Sequence, residues 1–219
     1  MSTVLAISAD TTPDGVADAV AQVVACVQGG GLAVIPTDTS YAVIADAFHS
    51  VALDKLRTTK GYLGNVPLPI AAASVETIRG VANLSPLALD LARAFWPGAL
   101  TILTRSQQSL SWNVGSVDSA LAVRVPHHAL AQSVLAGIGP TVMTGAQKAG
   151  QPAILDFAQA QAALGTAVDV YLDAGTLLPS QSAVVDCTSE HIRLLRSGAI
   201  ALADLRQVMP IVIDATASN

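Results

Sequence analysis

Short apolar runs typical of β-strands alternate with helical patterns along the whole chain, and this alternation restricts the fold more than any other feature. Some strand-like runs follow each other without a helix between them, which a strictly parallel sheet does not permit. The predicted strands are GLAVIP, LPIAAAS, ALTILT, ALAVRVP, TVMT, VDVYLD, SAVVD and HIRLLR. The sequence therefore predicts an α/β fold built on a mixed sheet.

Capping residues, prolines and glycines mark the ends of the predicted helices. Thr12 and Pro13 precede the first of them, DGVADAVAQVVACV, and three glycines end it. The other predicted helices are VALDKLRTTKG, LALDLARAFW, HHALAQSVLAGIG, the segment from Phe157 to Leu164, and LADLRQVM. No internal repeat, low-complexity tract or linker interrupts the pattern, so we expect one domain over residues 1–219 with its core at about 14–208.

The composition suits a large buried core and argues against a general nucleic-acid-binding surface. The chain has 219 residues, 52% of them hydrophobic, and a net charge of -5. Phosphate backbones require a clustered basic face, although a local basic cleft stays compatible with this balance. The start, MSTVLAISAD, lacks a basic signal region, and no apolar run approaches the ~18 residues of a membrane helix. We therefore expect a cytoplasmic protein without a membrane span.

The cysteines and histidines indicate neither a disulfide nor a metal site. Cys26 lies in a helical pattern and Cys187 beside a strand-like run, which favours buried free thiols. The four histidines lack metal-ligand spacing with the cysteines, and no His-based triad can be argued. We predict no metal ligands from the protein and assign no catalytic nucleophile or base.

The stretch VIPTDTSYAV, Val34 to Val43, places four hydroxyls and a carboxylate directly after a strand-like run. Thr and Asp side chains readily bond to local backbone groups, so a turn is one interpretation. The floor of a ligand pocket is the other, because open α/β sheets bind ligands at strand ends.

Four further features are candidates for binding an anion, each with a structural alternative. Lys60 ends a predicted helix, where its charge either complements the helix dipole or binds phosphate. Arg124 lies in an apolar strand and needs a carboxylate, phosphate or carbonyl partner, from the protein or a ligand. The turn TGAQKAG offers backbone N–H groups but matches neither the P-loop nor the dinucleotide motif. Arg196 ends a strand, and a surface ion pair is its structural alternative.

In order along the chain, VIPTDTSYAV, KGYLGNVPL, FWPGALTIL, ALAVRVPHH, TGAQKAGQP, SAVVD and LLRSGAI resemble motifs of the YrdC/Sua5 family, the threonylcarbamoyl-AMP synthases. The similarity extends from about Gly30 to Ile200, and the order of seven motifs is far more specific than any one of them. The resemblance implies a twisted mixed sheet flanked by helices around a deep cleft. It is closest to the single-domain members, which lack a C-terminal Sua5 domain.

The resemblance also implies the activity and its ligands. ATP, L-threonine and bicarbonate, with Mg²⁺ accompanying ATP, would become threonylcarbamoyl-AMP and pyrophosphate for the t6A modification of tRNA. Partners of such a protein would include tRNA-modification proteins. Residues matching the family's motifs for threonine are Thr37, Arg124 and Ser182, and those matching its motifs for ATP are Lys60, Gly145, Gln147 and Arg196.

Departures from the family's motifs concentrate in the ATP half of the site. Tyr62 stands where the family has the arginine of its KxR motif, and Gly145 and Gln147 stand where its SAN turn has serine and asparagine. The remaining substitutions are Ala42, Ala71, Ala149 and Ala183. A charge-assisted hydrogen bond contributes roughly 1.5 to 3 kcal/mol, so we expect catalysis about 10² to 10⁴ slower than with the complete motifs.

Two alternatives to an active synthase remain open at this point. One is a paralogue that keeps the fold and binds a nucleotide or another small ligand without the reaction. The other is a double-stranded RNA-binding module, against which the acidic balance argues.

Overall fold

The computed structural model describes residues 1–115 and 119–216. Its β-strands are β1 (Thr3–Ala6), β2 (Ala33–Pro36), β3 (Tyr41–Asp46), β4 (Ile70–Ala71), β5 (Ala82–Asn83), β6 (Leu100–Ser106), β7 (Ala120–Arg124), β8 (Thr141–Gly145), β9 (Val170–Asp173), β10 (Ala183–Asp186), β11 (Arg193–Arg196) and β12 (Ile213–Asp214). Its α-helices are α1 (Pro13–Gln28), α2 (Ser50–Lys60), α3 (Val75–Val81), α4 (Pro86–Phe95), α5 (Ala129–Ile138), α6 (Phe157–Leu164) and α7 (Leu202–Val208), and a 3-10 turn covers Gly165–Ala167.

The strands form one sheet with both parallel and antiparallel neighbours. The order is β1-β9-β2-β3-β8-β4-β7-β6-β10-β11-β12, and β5 pairs with β6. Pairs such as β2 with β9 and β6 with β10 are parallel, whereas β2 with β3 and β6 with β7 are antiparallel. The mixed α/β sheet predicted from the sequence is therefore confirmed.

The centre of the sheet is covered on both faces. Ala33 and Ile35 of β2 belong to a core formed with α1 and α5, while Val34 between them belongs to the larger core on the other face. All four residues of β2 are buried, as expected for a strand covered on both sides. Both cysteines are free, as predicted, but only Cys187 is buried, whereas Cys26 is half-buried. Within the described residues, no helix is long and apolar enough to cross a membrane.

Candidate functional site

The segment between β2 and β3 forms a polar turn whose groups bond to one another. The Thr37 hydroxyl donates to the Ser40 carbonyl at 2.7 Å and accepts from the backbone N–H groups of Thr39 and Ser40, both at 3.2 Å. Its oxygen also lies 3.2 Å from the Thr39 hydroxyl oxygen. Local turn chemistry therefore holds the Thr37 side chain in place, and the same three residues line a cavity.

Tyr41, the last hydroxyl of the row, points elsewhere. As the first residue of β3 it is fully buried, and its hydroxyl donates to the Gly175 carbonyl at 2.7 Å. The backbone N–H of Ala174 donates to the same oxygen at 3.0 Å. Tyr41 thus anchors the segment after β9.

Arg124, at the end of β7, joins this turn to the segment before β6. Its Nη2 forms an ion pair with Asp38 Oδ1 at 2.7 Å, Nη1 donates to Thr39 Oγ1 at 3.1 Å, and Nε donates to the Gly98 carbonyl at 3.0 Å. Burial lowers the pKa of Arg124, the Asp38 carboxylate opposes that shift, and the charge of Arg196 adds to it. A guanidinium has five N–H donors, so two stay available to a ligand.

A second group lies on β11, on β6 and at Ser182, the residue before β10. Arg196 donates from Nε at 3.2 Å and from Nη2 at 2.9 Å to the Ser182 carbonyl, and from Nη2 to the Ser182 hydroxyl at 2.9 Å. That hydroxyl also lies 2.9 Å from the Thr101 hydroxyl. Burial lowers the pKa of Arg196, which forms no ion pair with any described residue. This uncompensated cation is suited to an anionic ligand.

Lys60, the last residue of α2, holds the turn after β8. Its ammonium donates to the carbonyls of Gly145 and Gln147, and its own carbonyl accepts from the Ala149 N–H at 2.9 Å. Lys60 is 2% exposed, and burial lowers its pKa to about 8. The Lys60 side chain therefore stabilises the turn through its backbone carbonyls and does not line the cavity.

Tyr62, which occupies the position of the arginine in the KxR motif, makes a contact without charge. Gly61, with φ of 70°, ends α2 in the left-handed conformation that favours glycine. Beyond it, the Tyr62 hydroxyl lies 3.2 Å from the Thr144 hydroxyl, and the Lys60 Nζ lies 5.7 Å from the Tyr62 ring centroid. Tyr62 thus supports the end of β8 and brings no charge.

The two arginines and the polar turn between β2 and β3 line one cavity of about 550 Å³. Its volume is within the usual range for small-molecule sites. Six of the predicted site residues line it, namely Thr37, Arg124, Gly145, Gln147, Ser182 and Arg196. Lys60 is not among the lining residues. The deep cleft implied by the resemblance stays a prediction.

The chemistry available at this cavity is binding and charge neutralisation. Hydroxyls, amides and two guanidinium groups supply hydrogen-bond donors for anions. Among the described residues, no group of three His, Cys, Asp or Glu could hold a metal ion. Such a site favours reactions that depend on positioning the reactants.

Sequence reasoning missed the residues that position the predicted ones. Asp38 and Thr39 bind Arg124, and Thr101 binds Ser182. Asp38 and Thr39 both belong to the polar stretch VIPTDTSYAV. The carboxylate of Asp38, directly after a strand, was the one feature there that could have indicated the partner of Arg124. No signal distinguished Thr101 from Thr104 in the strand pattern ALTILT.

Known proteins similar to this chain belong to the family that its motifs resemble. The Sua5/YciO/YrdC family model, described as "Telomere recombination", matches residues 25–198. A Mycobacterium leprae protein with the provisional name threonylcarbamoyl-AMP synthase is 38% identical over 202 residues, which cover 91% of this chain and 92% of that protein.

Solved structures share the fold. Pyrococcus abyssi Sua5 complexed with L-threonine matches 98% of this chain with a TM-score of 0.84 at 24% identity, and Escherichia coli YciO matches 91% with a TM-score of 0.81 at 20% identity. The chain spans 62% of the Pyrococcus abyssi structure and 97% of the Escherichia coli structure.

Proposed function

The chain belongs to the Sua5/YciO/YrdC family, and on that premise we propose that it is a threonylcarbamoyl-AMP synthase. Its substrates are ATP, L-threonine and bicarbonate, and its products are threonylcarbamoyl-AMP and pyrophosphate. The product supplies the t6A modification of tRNA, with tRNA-modification proteins as partners. The cytoplasmic location expected from the sequence stays a prediction.

The reaction has two bond-forming steps. The threonine amine attacks the carbon of bicarbonate and water leaves, which forms a carbamate. A carbamate oxygen then attacks the α-phosphorus of ATP, and the bond to the β-phosphate oxygen breaks with release of pyrophosphate. Neither step needs a protein nucleophile, so the site contributes by binding, orientation and charge neutralisation.

The observation that carries the proposal is the pair of guanidinium groups facing one cavity of hydroxyls. Arg124 keeps two N–H donors for the threonine carboxylate, as its fork geometry favours. The fixed turn at Thr37 and the hydroxyl of Ser182 complete the threonine half.

The ATP half comprises Arg196, Gly145, Gln147 and Lys60. Arg196 supplies positive charge for the phosphates, and the turn at Gly145 supplies backbone and amide groups. Lys60 acts mainly through the two carbonyls that it holds. Magnesium accompanying ATP would supply further positive charge for the pyrophosphate leaving group, beside the charge that Arg196 brings to the cavity.

The contacts of Lys60 and Tyr62 favour a second candidate function. The Lys60 ammonium already binds two carbonyls of the turn, and Tyr62 has no charge that could bind phosphates. A protein with these features can bind a nucleotide or another small ligand without completing the reaction.

Pyrophosphate release tests the proposal against this alternative. The purified protein is incubated with magnesium, ATP, threonine and bicarbonate, and each substrate is omitted in turn. A synthase releases pyrophosphate only when all three substrates are present. Stabilisation of the fold by ATP or threonine without release would favour the binding protein instead.

A further inference from the structure

The side chain of Gln147 folds back over the Cα atom of Gly145, two residues earlier. A Cβ atom at Gly145 would overlap Gln147 Oε1 and would lie 2.9 Å from both Cδ and Nε2 of the same side chain. Real Cβ contacts are essentially never this short. The carboxamide can therefore occupy this place only because residue 145 has no side chain.

The backbone around this pair is held from outside the turn. Lys60 binds the carbonyls of both Gly145 and Gln147, and the Ala146 N–H donates to the Tyr41 carbonyl at 2.8 Å. Because these contacts fix the main chain, the carboxamide is the part of the turn that is free to respond to a ligand.

The carboxamide also has unused hydrogen-bonding capacity at the cavity. Gln147 Oε1 is buried and has no hydrogen-bond partner, while Gln147 and Gly145 both line the cavity of about 550 Å³. Buried acceptors normally have a donor, and an unpaired one is unfavourable. A ligand that places an N–H or O–H group here would remove that cost.

We infer that Gly145 and Gln147 act as one specificity-determining unit, in which the absent side chain at 145 allows the Gln147 carboxamide to accept a hydrogen bond from the nucleotide. The donor is an N–H or O–H group of ATP, either the amino group of adenine or a ribose hydroxyl. This inference rests on the proposed function, because it takes ATP as the ligand. It makes the two substitutions in this turn a single coupled change.

A double-mutant cycle on ATP binding tests the coupling. The dissociation constant of Mg-ATP is measured by calorimetry for the wild type, Gly145→Ala, Gln147→Ala and the double variant. Each single variant should bind ATP about fivefold more weakly, the effect of one neutral hydrogen bond. The double variant should bind no more weakly than Gln147→Ala, because an alanine at 145 acts by displacing the carboxamide.

Two control variants match the substitutions away from the cavity. Gly80→Ala adds a methyl group on α3 where no atom lies within 4 Å, and Gln161→Ala removes an exposed glutamine from α6. Both should bind ATP as the wild type does. Thermal unfolding of every variant checks the fold, and Gln147→Ala keeps the test valid if Gly145→Ala does not fold.

Three ATP analogues identify the donor. Purine riboside triphosphate lacks the 6-amino group, and 2′-deoxy-ATP and 3′-deoxy-ATP each lack one ribose hydroxyl. The wild type should bind one of them about fivefold more weakly than ATP, and Gln147→Ala should lose that discrimination. Discrimination that is equal in the wild type and in Gln147→Ala would contradict the inference.

The outcomes separate this inference from the proposed function. Equal ATP affinity in the wild type and in all three variants, or additive losses in the double variant, would overturn the coupling and leave the synthase proposal standing. Absence of ATP binding by the wild type would overturn both.

Discussion

Arg124 makes the contacts on which the threonine half of the site depends. Arg124→Ala should abolish threonine-dependent thermal stabilisation, because the substrate carboxylate loses its bidentate partner. It should also lower the free energy of unfolding by about 3 kcal/mol, because Asp38 stays partly buried without its counter-charge. Thermal and chemical unfolding with and without threonine measure both effects.

A second arginine variant tests whether the effect of Arg124→Ala comes from the site or only from the loss of a positive charge. Arg93→Ala removes an exposed guanidinium that pairs with Asp90 on α4, and it should leave the threonine response unchanged. Threonine stabilisation that survives in Arg124→Ala would remove Arg124 from the site.

Lys60 gives the stability a specific dependence on pH. Burial lowers its pKa to about 8 in the folded protein, against 10.5 as the ordinary value. Between these values the unfolded chain binds more protons, so the contribution of Lys60 to stability rises with pH and is least favourable below pH 8. From pH 7 to pH 10 the gain should be about 2 kcal/mol.

Comparison of the wild type with Lys60→Met isolates this effect. The pH range ends at 10 because burial raises the pKa values of Tyr41 and Tyr171 to about 12, which lowers stability at higher pH. Burial also raises the pKa of Cys187 from 9.0 to about 12, which lowers stability from about pH 9 equally in both proteins. Urea unfolding at each pH should show a steeper rise for the wild type than for Lys60→Met. Parallel curves would mean that the folded protein does not depress the pKa of Lys60.

Residue types predicted the need for partners but not the partners themselves. A buried arginine in an apolar strand requires an acceptor, and this much followed from Arg124 in the sequence. Its partner Asp38 lies 86 residues earlier in the chain, so the sheet topology brings the two together. The Gln147 carboxamide over Gly145 likewise depends on how Lys60 bends the turn.

At the scale of elements, the close approach of Gly198 to β10 sets the geometry of the second guanidinium. A Cβ atom at Gly198 would overlap backbone atoms of Ser182 and Ala183 and lie 2.6 Å from the Gln181 carbonyl oxygen. Gly198→Ala should therefore push the segment after β11 away and cost about 1–3 kcal/mol. ATP binding should weaken as well, because Arg196 loses its contacts with Ser182.

Calorimetry measures the ATP affinity of Gly198→Ala, and urea unfolding measures its stability. Gly80→Ala provides the control, because its added methyl group meets nothing within 4 Å. A Gly198→Ala variant with wild-type stability and ATP affinity would show that the backbone contact does not position Arg196.

Elements with strong local signals were predictable, and those defined by a partner strand were not. The cap at Ser85 and the proline after it mark α4, which begins at Pro86. In LPIAAAS, by contrast, pairing with β7 and β8 is confined to Ile70 and Ala71. Five elements, β1, β3, α3, β5 and β12, were not predicted, because their bounds depend on contacts with neighbours distant in the sequence.

At the scale of the whole molecule, the fold and the family were accessible from the sequence because seven motifs keep their order over most of the chain. The expected cost of the substituted ATP half, about 10² to 10⁴ in rate, is a property of the assembled site. The structure adds the supporting contacts of Tyr62 and Lys60, and the carboxamide of Gln147, to that half.

Incorporation of labelled bicarbonate tests the synthase proposal most directly. The protein is incubated with ¹³C-bicarbonate, threonine and Mg-ATP, and the products are analysed by mass spectrometry. The proposal predicts threonylcarbamoyl-AMP that carries one ¹³C atom, formed slowly and only with all substrates present. Protein that binds ATP and threonine yet forms no labelled threonylcarbamoyl-AMP, even in prolonged reactions, would contradict it.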